Sequence, residues 1–177
     1  MNEPTDRAGH LARLLAANQR HAERFSAADI PAAPRARLAI LTCMDARMIL
    51  ADIFGLKVGE ANVIRNAGAV ATADAVRSLV LSQQALGTRE IVVLGHTGCG
   101  LRGLDEQRLR AQLAAATSDA ASREATTIDF GAFDDVDDHV REQVAALAAH
   151  PLVMDVPIHG LVYEVETGRV RGLRDAD

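Results

Sequence analysis

Two kinds of hydrophobic spacing run along the chain. Leu11, Leu14 and Leu15 recur at helical intervals, with Arg13, Arg20 and Glu23 on other faces. Residues 10–25 are therefore expected as an amphipathic helix after a loose tail at 1–9. Pro31-Ala32-Ala33-Pro34 ends that pattern and opens a connector. Short apolar runs at 37–42, 61–65 and 90–95 carry the pattern of buried strands. Between them, 46–54 reads as a helix stopped by Gly55. Residues 73–86 read as a helix capped by Thr72, with Val76, Leu79, Val80 and Leu86 facing the core and Gly87 as its stop. A further helix is expected over 105–116 and a loop over 117–131. Asp134, Asp135, Asp137 and Asp138 crowd the start of a helix running to about His150, just before Pro151. Acidic groups there suit the positive end of the helix dipole and need no metal to explain them. Residues 158–165 and 169–173, around Glu166-Thr167-Gly168, read as strand, turn and strand.

Alternating strands and helices predict an α/β fold. The expected sheet is mostly parallel, with about four parallel strands plus a C-terminal strand, flanked by helices. A length of 177 residues and the lack of an internal repeat make residues 1–177 a single domain. In such sheets the ligand site lies beyond the carboxyl ends of the strands.

Composition narrows the function. Acidic residues exceed basic ones, 24 to 19, and there is no Trp, so neither a phosphate-binding surface nor a base-stacking platform is expected and nucleic acid is not a predicted partner. No apolar run has the length of a membrane span, so no membrane partner is expected. The first residues show neither a basic region nor an apolar stretch of secretory type, which predicts a cytoplasmic protein. Two cysteines are too few for a disulfide framework, and in a reducing compartment a metal or catalytic role outranks a disulfide.

Both cysteines fall at strand ends. The first strand runs into Cys43-Met44-Asp45-Ala46-Arg47, and the strand at 90–95 runs into His96-Thr97-Gly98-Cys99-Gly100. In a parallel arrangement Cys43 and His96 emerge on one edge of the sheet, and Gly98 and Gly100 let Cys99 turn back toward them. Two thiolates and an imidazole suit Zn²⁺, and three protein ligands leave a fourth tetrahedral position, the mark of a catalytic site. Asp45 is the nearest side chain able to visit that position, and Arg47 is placed to hold it by a charge-assisted hydrogen bond. The competing readings are buried structural cysteines, a Cys43–Cys99 redox pair, a core histidine at 96 and a plain surface ion pair at Asp45–Arg47.

Together these motifs resemble the β-class carbonic anhydrases, and most of all their small, mycobacterial-like bacterial subgroup. Val63-Ile64-Arg65-Asn66-Ala67-Gly68, the stretch Ser78–Glu90 and the stretch Gly160–Val170 also fit. The resemblance spans about 35–173 and is weak between about 105 and 150. It implies a single zinc ion per chain on Cys43, His96 and Cys99, with Asp45 joining only in a closed state. It also implies a catalytic Asp45–Arg47 dyad and a homodimer or homotetramer, with the tail and helical arm of residues 1–34 packed on a partner subunit. The implied reaction is the reversible hydration of CO₂ to bicarbonate and a proton by zinc-bound hydroxide, since zinc brings the pKa of water to about 7. Asp45 would orient that hydroxide, and Ala67, Gly68 and Gly100 would border the CO₂ pocket. Some family members carry a non-catalytic bicarbonate pocket built with a Trp, and plant-type members a Gln ahead of the first Cys motif; this chain has neither. Alternatives on the same metal set are hydrolysis of carbon disulfide or carbonyl sulfide, and a non-catalytic zinc-holding protein. His10, His21, His139, His150 and His159 carry no motif and are read as surface or helix-end residues.

Overall fold

The computed structural model describes residues 7–26, 29–116 and 118–174. The chain divides into two compact units, Met1–Ile30 and Pro31–Asp177. The first carries helix α1 (Arg7–Ala22), which begins three residues ahead of the expected start. The first six residues of the expected tail lie outside the described residues.

The second unit is a five-stranded sheet made of β1 (Leu38–Cys43), β2 (Ala61–Asn66), β3 (Glu90–His96), β4 (Ile158–Glu164) and β5 (Arg169–Gly172). Their spatial order is β2-β1-β3-β4-β5. The first four are parallel and β5 is antiparallel to β4, the sheet expected from sequence. Helices α2 (Leu50–Phe54), α3 (Ala73–Gln84), α4 (Glu106–Ala116), α5 (Asp119–Thr127) and α6 (Val136–Ala148) complete the unit.

The central strands are apolar throughout because both their faces are covered. Ala39, Leu41, Ile91 and Val93 point to one side, packing with Val76 and Leu79 of α3 and Val140 and Leu147 of α6. Ile40, Val92 and Leu94 point to the other, packing with Met48, Leu50, Cys43 and Cys99. Gly95 lets α6 come this close to β3: a Cβ there would lie 2.5 Å from Val140 Cγ2.

The structure corrects two expectations and refines a third. Residues 46–49 are not helical, and α2 starts at Leu50. The Asp45 side chain captures the Arg47 amide at 2.9 Å and the Asp45 carbonyl accepts from the Met48 amide at 3.1 Å, so a turn replaces the first helical turn. Residues 119–127 are a helix rather than part of a loop, packed against α4 with Ala125 buried. Its Ser and Thr residues gave the segment a loop-like composition, whereas this packing stabilises it as a helix. His139, expected at the surface or a helix end, does lie at a helix end, in the first turn of α6, but is buried against the sheet-end loops rather than exposed.

Candidate metal centre

β1 and β3 are adjacent and parallel, with Thr42 opposite Leu94. Cys43 and His96 therefore leave the sheet at the same edge. After His96 the chain turns through Gly98, whose φ of +60° lies in the left-handed region, and brings Cys99 back. One ligand atom from each of Cys43, His96 and Cys99 lies within 4.8 Å of the other two, and all three residues are buried. Among the described residues this is the only group of three or more His, Cys, Asp or Glu side chains so gathered.

The chemistry of the donors fits a dication. His96 Nδ1 lies 2.9 Å from the Thr97 carbonyl, which only accepts, so Nδ1 carries the proton and Nε2 keeps its lone pair. Nε2 is buried without a hydrogen-bond partner, an arrangement that a metal ion resolves. The thiols are coupled. A hydrogen bond from Cys99 brings Cys43 well below the usual thiol range, and the same bond together with burial pushes Cys99 up. The Gly68 amide also donates to Cys43 Sγ, at 3.4 Å. The shared hydrogen bond and burial thus favour ionisation of one thiol over ionisation of both. A doubly charged cation would let both ionise.

Asp45 lies beside this group. Its Oδ1 accepts from Arg47 Nε at 2.9 Å and its Oδ2 from Arg47 Nη2 at 2.7 Å. This bidentate pair holds the carboxyl far below the ordinary carboxylate range. Asp45 Oδ2 is 3.9 Å from His96 Nε2, close to the ligand group while committed to Arg47. Arg47 is fixed in turn by donating to the Gly98 carbonyl at 2.9 Å, so the loops after β1 and β3 are tied together across the site.

Of the expected pocket residues, Ala67 and Gly68 begin a short turn, Ala67–Ala69, directly after β2. Gly68 is buried at φ +79°, and a Cβ there would stand 2.7 Å from Leu101 Cδ1. Gly100 is exposed, with open space where its Cβ would be.

Several supporting residues escaped the sequence reading. Arg65, opposite Thr42 on β2, donates from Nε to the Cys43 carbonyl (3.0 Å), from Nη1 to that of Met48 (3.1 Å) and from Nη2 to that of Asp45 (2.7 Å). It clamps the whole loop that carries the first ligand and the dyad. Thr97 Oγ1 donates to Glu166 Oε2 at 2.7 Å and accepts from the Val165 amide at 3.1 Å, anchoring the second loop to the turn after β4. The register of β1 with β2 is the one signal that could have placed Arg65 here.

The carbonic anhydrase family model matches residues 38–170, the span that holds β1 to β4, the start of β5, and Cys43, His96 and Cys99. The chain belongs to the β-carbonic anhydrase family. Beta-carbonic anhydrase 1 of Mycobacterium tuberculosis is 38% identical over 157 residues, covering 88% of this chain and 93% of that protein. A carbonic anhydrase of Streptococcus mutans has the same fold at a TM-score of 0.85 and 39% identity, covering 98% of this chain and 100% of that one. A protein named carbon disulfide hydrolase, from Acidianus, is 34% identical over 155 residues, 76% of each chain. As a β-carbonic anhydrase the protein catalyses the zinc-dependent, reversible hydration of carbon dioxide.

Proposed function

We propose that Cys43, His96 and Cys99 each ligate the zinc ion and that Asp45 and Arg47 are the catalytic pair of CO₂ hydration. The observation that carries this is the convergence of the three ligand atoms beside a carboxylate whose two oxygens are both bound by Arg47. Zinc bound there acts as a Lewis acid, bringing the pKa of water to about 7. Asp45 is kept ionised by Arg47 and therefore acts only as a hydrogen-bond acceptor at the reacting oxygen. That acceptor would aim the lone pair of the reacting oxygen at the carbon of CO₂: the water would first lose one proton to solvent, a C–O π bond would open as the new O–C bond forms, and bicarbonate would leave. Ala67, Gly68 and Gly100 border the CO₂ side. A closed state with Asp45 on the metal requires both of its bonds to Arg47 to break.

Hydrolysis of carbon disulfide or carbonyl sulfide is the second reading, supported by the relative of that name. Stopped-flow assays of zinc-loaded protein with each gas separate the two. CO₂ turnover well above that of the sulfur gases is expected; turnover of the sulfur gases without CO₂ hydration would reverse the order. Zinc-loaded protein inert to all three would favour the non-catalytic reading.

We further infer a homodimer, or a tetramer built from it, in which residues 1–34 pack on a partner subunit. Supporting this, Leu11, Leu14 and Leu15 are exposed along α1. Edge strand β2 and helix α3 expose Val63 and Leu81 around a cavity of about 450 Å³. Cytoplasmic residence agrees with two free thiols that serve as ligands only when reduced. Among the described residues no helix is long and apolar enough to cross a membrane.

A further inference from the structure

We propose that His139 is a positioning residue of the metal centre that acts through Gly68; the inference rests on the zinc reading above. His139 Nε2 lies 2.8 Å from the Gly68 carbonyl, which only accepts, so Nε2 carries the proton and donates it there. The imidazole is buried and stacked on Phe133, with ring centres 4.2 Å apart and planes 15° from parallel, so its direction is fixed. Gly68 is the residue whose amide donates to Cys43 Sγ. Having no Cβ, Gly68 does not fix its own left-handed conformation, and something outside the turn must hold it.

Helix α6 supplies that hold at two points. One turn beyond His139, Gln143 Oε1 accepts from the Ala71 amide at 2.9 Å. His139 and Gln143 thus suspend the segment 68–71 from a single helix face. The helix itself is anchored by its Asp135 cap and by Val140 in the core. Asn66 closes the turn from below, accepting from the Val70 amide and donating to its carbonyl. The two side chains of α6 differ in one respect: only His139 grips the residue whose amide meets the sulfur. A hydrogen bond to a thiolate ligand shares its charge and sets its direction, so losing it changes metal affinity and the metal–sulfur electronic bands.

The test uses the full-length protein reconstituted with Co²⁺ alone. Affinity is read by chelator competition and the site by its sulfur-to-cobalt absorption bands. His139→Leu removes the donor and keeps the bulk. It is expected to weaken Co²⁺ binding by about 10-fold or more and to shift the bands. His139→Gln, whose amide places a donor near the Nε2 position, should restore most of both. Gln143→Leu removes the neighbouring tie and should leave affinity within about 2-fold and the bands in place. If His139→Leu proves insoluble, His139→Asn carries the same expectation, because its amide stops short of the Gly68 carbonyl. Wild-type affinity and bands in His139→Leu or His139→Asn overturn the inference, as does an equal loss in Gln143→Leu, which would make α6 a mere scaffold. A wild-type protein that binds no Co²⁺ removes the metal centre itself and this role with it.

Discussion

At the residue scale, each side chain at the site is held by a different kind of partner. His96 presents a bare Nε2 because its one ring proton sits on Nδ1, which donates to the Thr97 carbonyl. Asp45 is kept beside the three gathered side chains by Arg47, and in the proposed function the three bind the metal while the pair serves catalysis. Asp45→Asn should retain zinc by elemental analysis while CO₂ hydration falls by about 10²-fold; full turnover would remove Asp45 from the mechanism. Gly68 is constrained by its φ of +79° and by Leu101. Gly68→Ala should lower stability by about 1–3 kcal/mol in urea titrations, and an unchanged midpoint would show that the turn relaxes freely. The gathering of Cys43, His96 and Cys99 with the Asp45–Arg47 pair beside them was legible in sequence because these residues follow two strands that a parallel sheet brings to one edge. Arg65 and His139 were not. Both act on backbone carbonyls, which every residue possesses, so no partner residue type advertises the contact.

At the scale of elements, the two central strands β1 and β3 were the most legible, because burial on both faces leaves them nearly continuous apolar runs. The start of α2 was not legible, because Asp45 and Arg47 shape the turn ahead of it: the Asp45 side chain accepts from the Arg47 amide and the Asp45 carbonyl from the Met48 amide, and the helix begins only at Leu50. The acidic start of α6 proved to hold two functions. Asp135 caps the helix, accepting from the amides of Asp137 and Asp138. Asp137 is buried and binds Arg171 of β5 and Arg174 beyond it, locking the C-terminal strand to the helix. Asp135→Ala should cost about 1 kcal/mol by thermal melting, and no loss would mean that the cap is dispensable. Asp137 is held well below the ordinary carboxylate range, chiefly by Arg171. A lowered folded pKa means that its stabilisation is complete above the unfolded value, about 3.9, and declines as pH falls through that value toward the folded one. Denaturation midpoints should therefore fall below about pH 4, and Asp137→Asn should be less stable at pH 7 with a smaller loss on acidification. Parallel pH profiles for the two proteins would contradict this.

At the scale of the molecule, the strand order β2-β1-β3-β4-β5 does the assembling. It places the ends of β1 and β3 side by side, sets β2 beside β1 to deliver Arg65 and the Gly68 turn, and puts β4 next to β3, so that Glu166 reaches Thr97. The general architecture followed from the alternation of strands and helices, but this order did not, since apolar runs carry no record of their neighbours. Sedimentation velocity tests the assembly: a dimer or tetramer at micromolar concentration is expected, and a monomer would contradict the partner-packed arm. Everything proposed for the site depends on Cys43, His96 and Cys99 holding zinc with Asp45 held off it by Arg47. Zinc X-ray absorption on metal-quantified protein near neutral pH tests it most directly. The expected result is about one zinc per chain with two sulfurs at about 2.3 Å and lighter atoms at about 2.0–2.1 Å. Protein without zinc, or zinc without two sulfur neighbours, would contradict it.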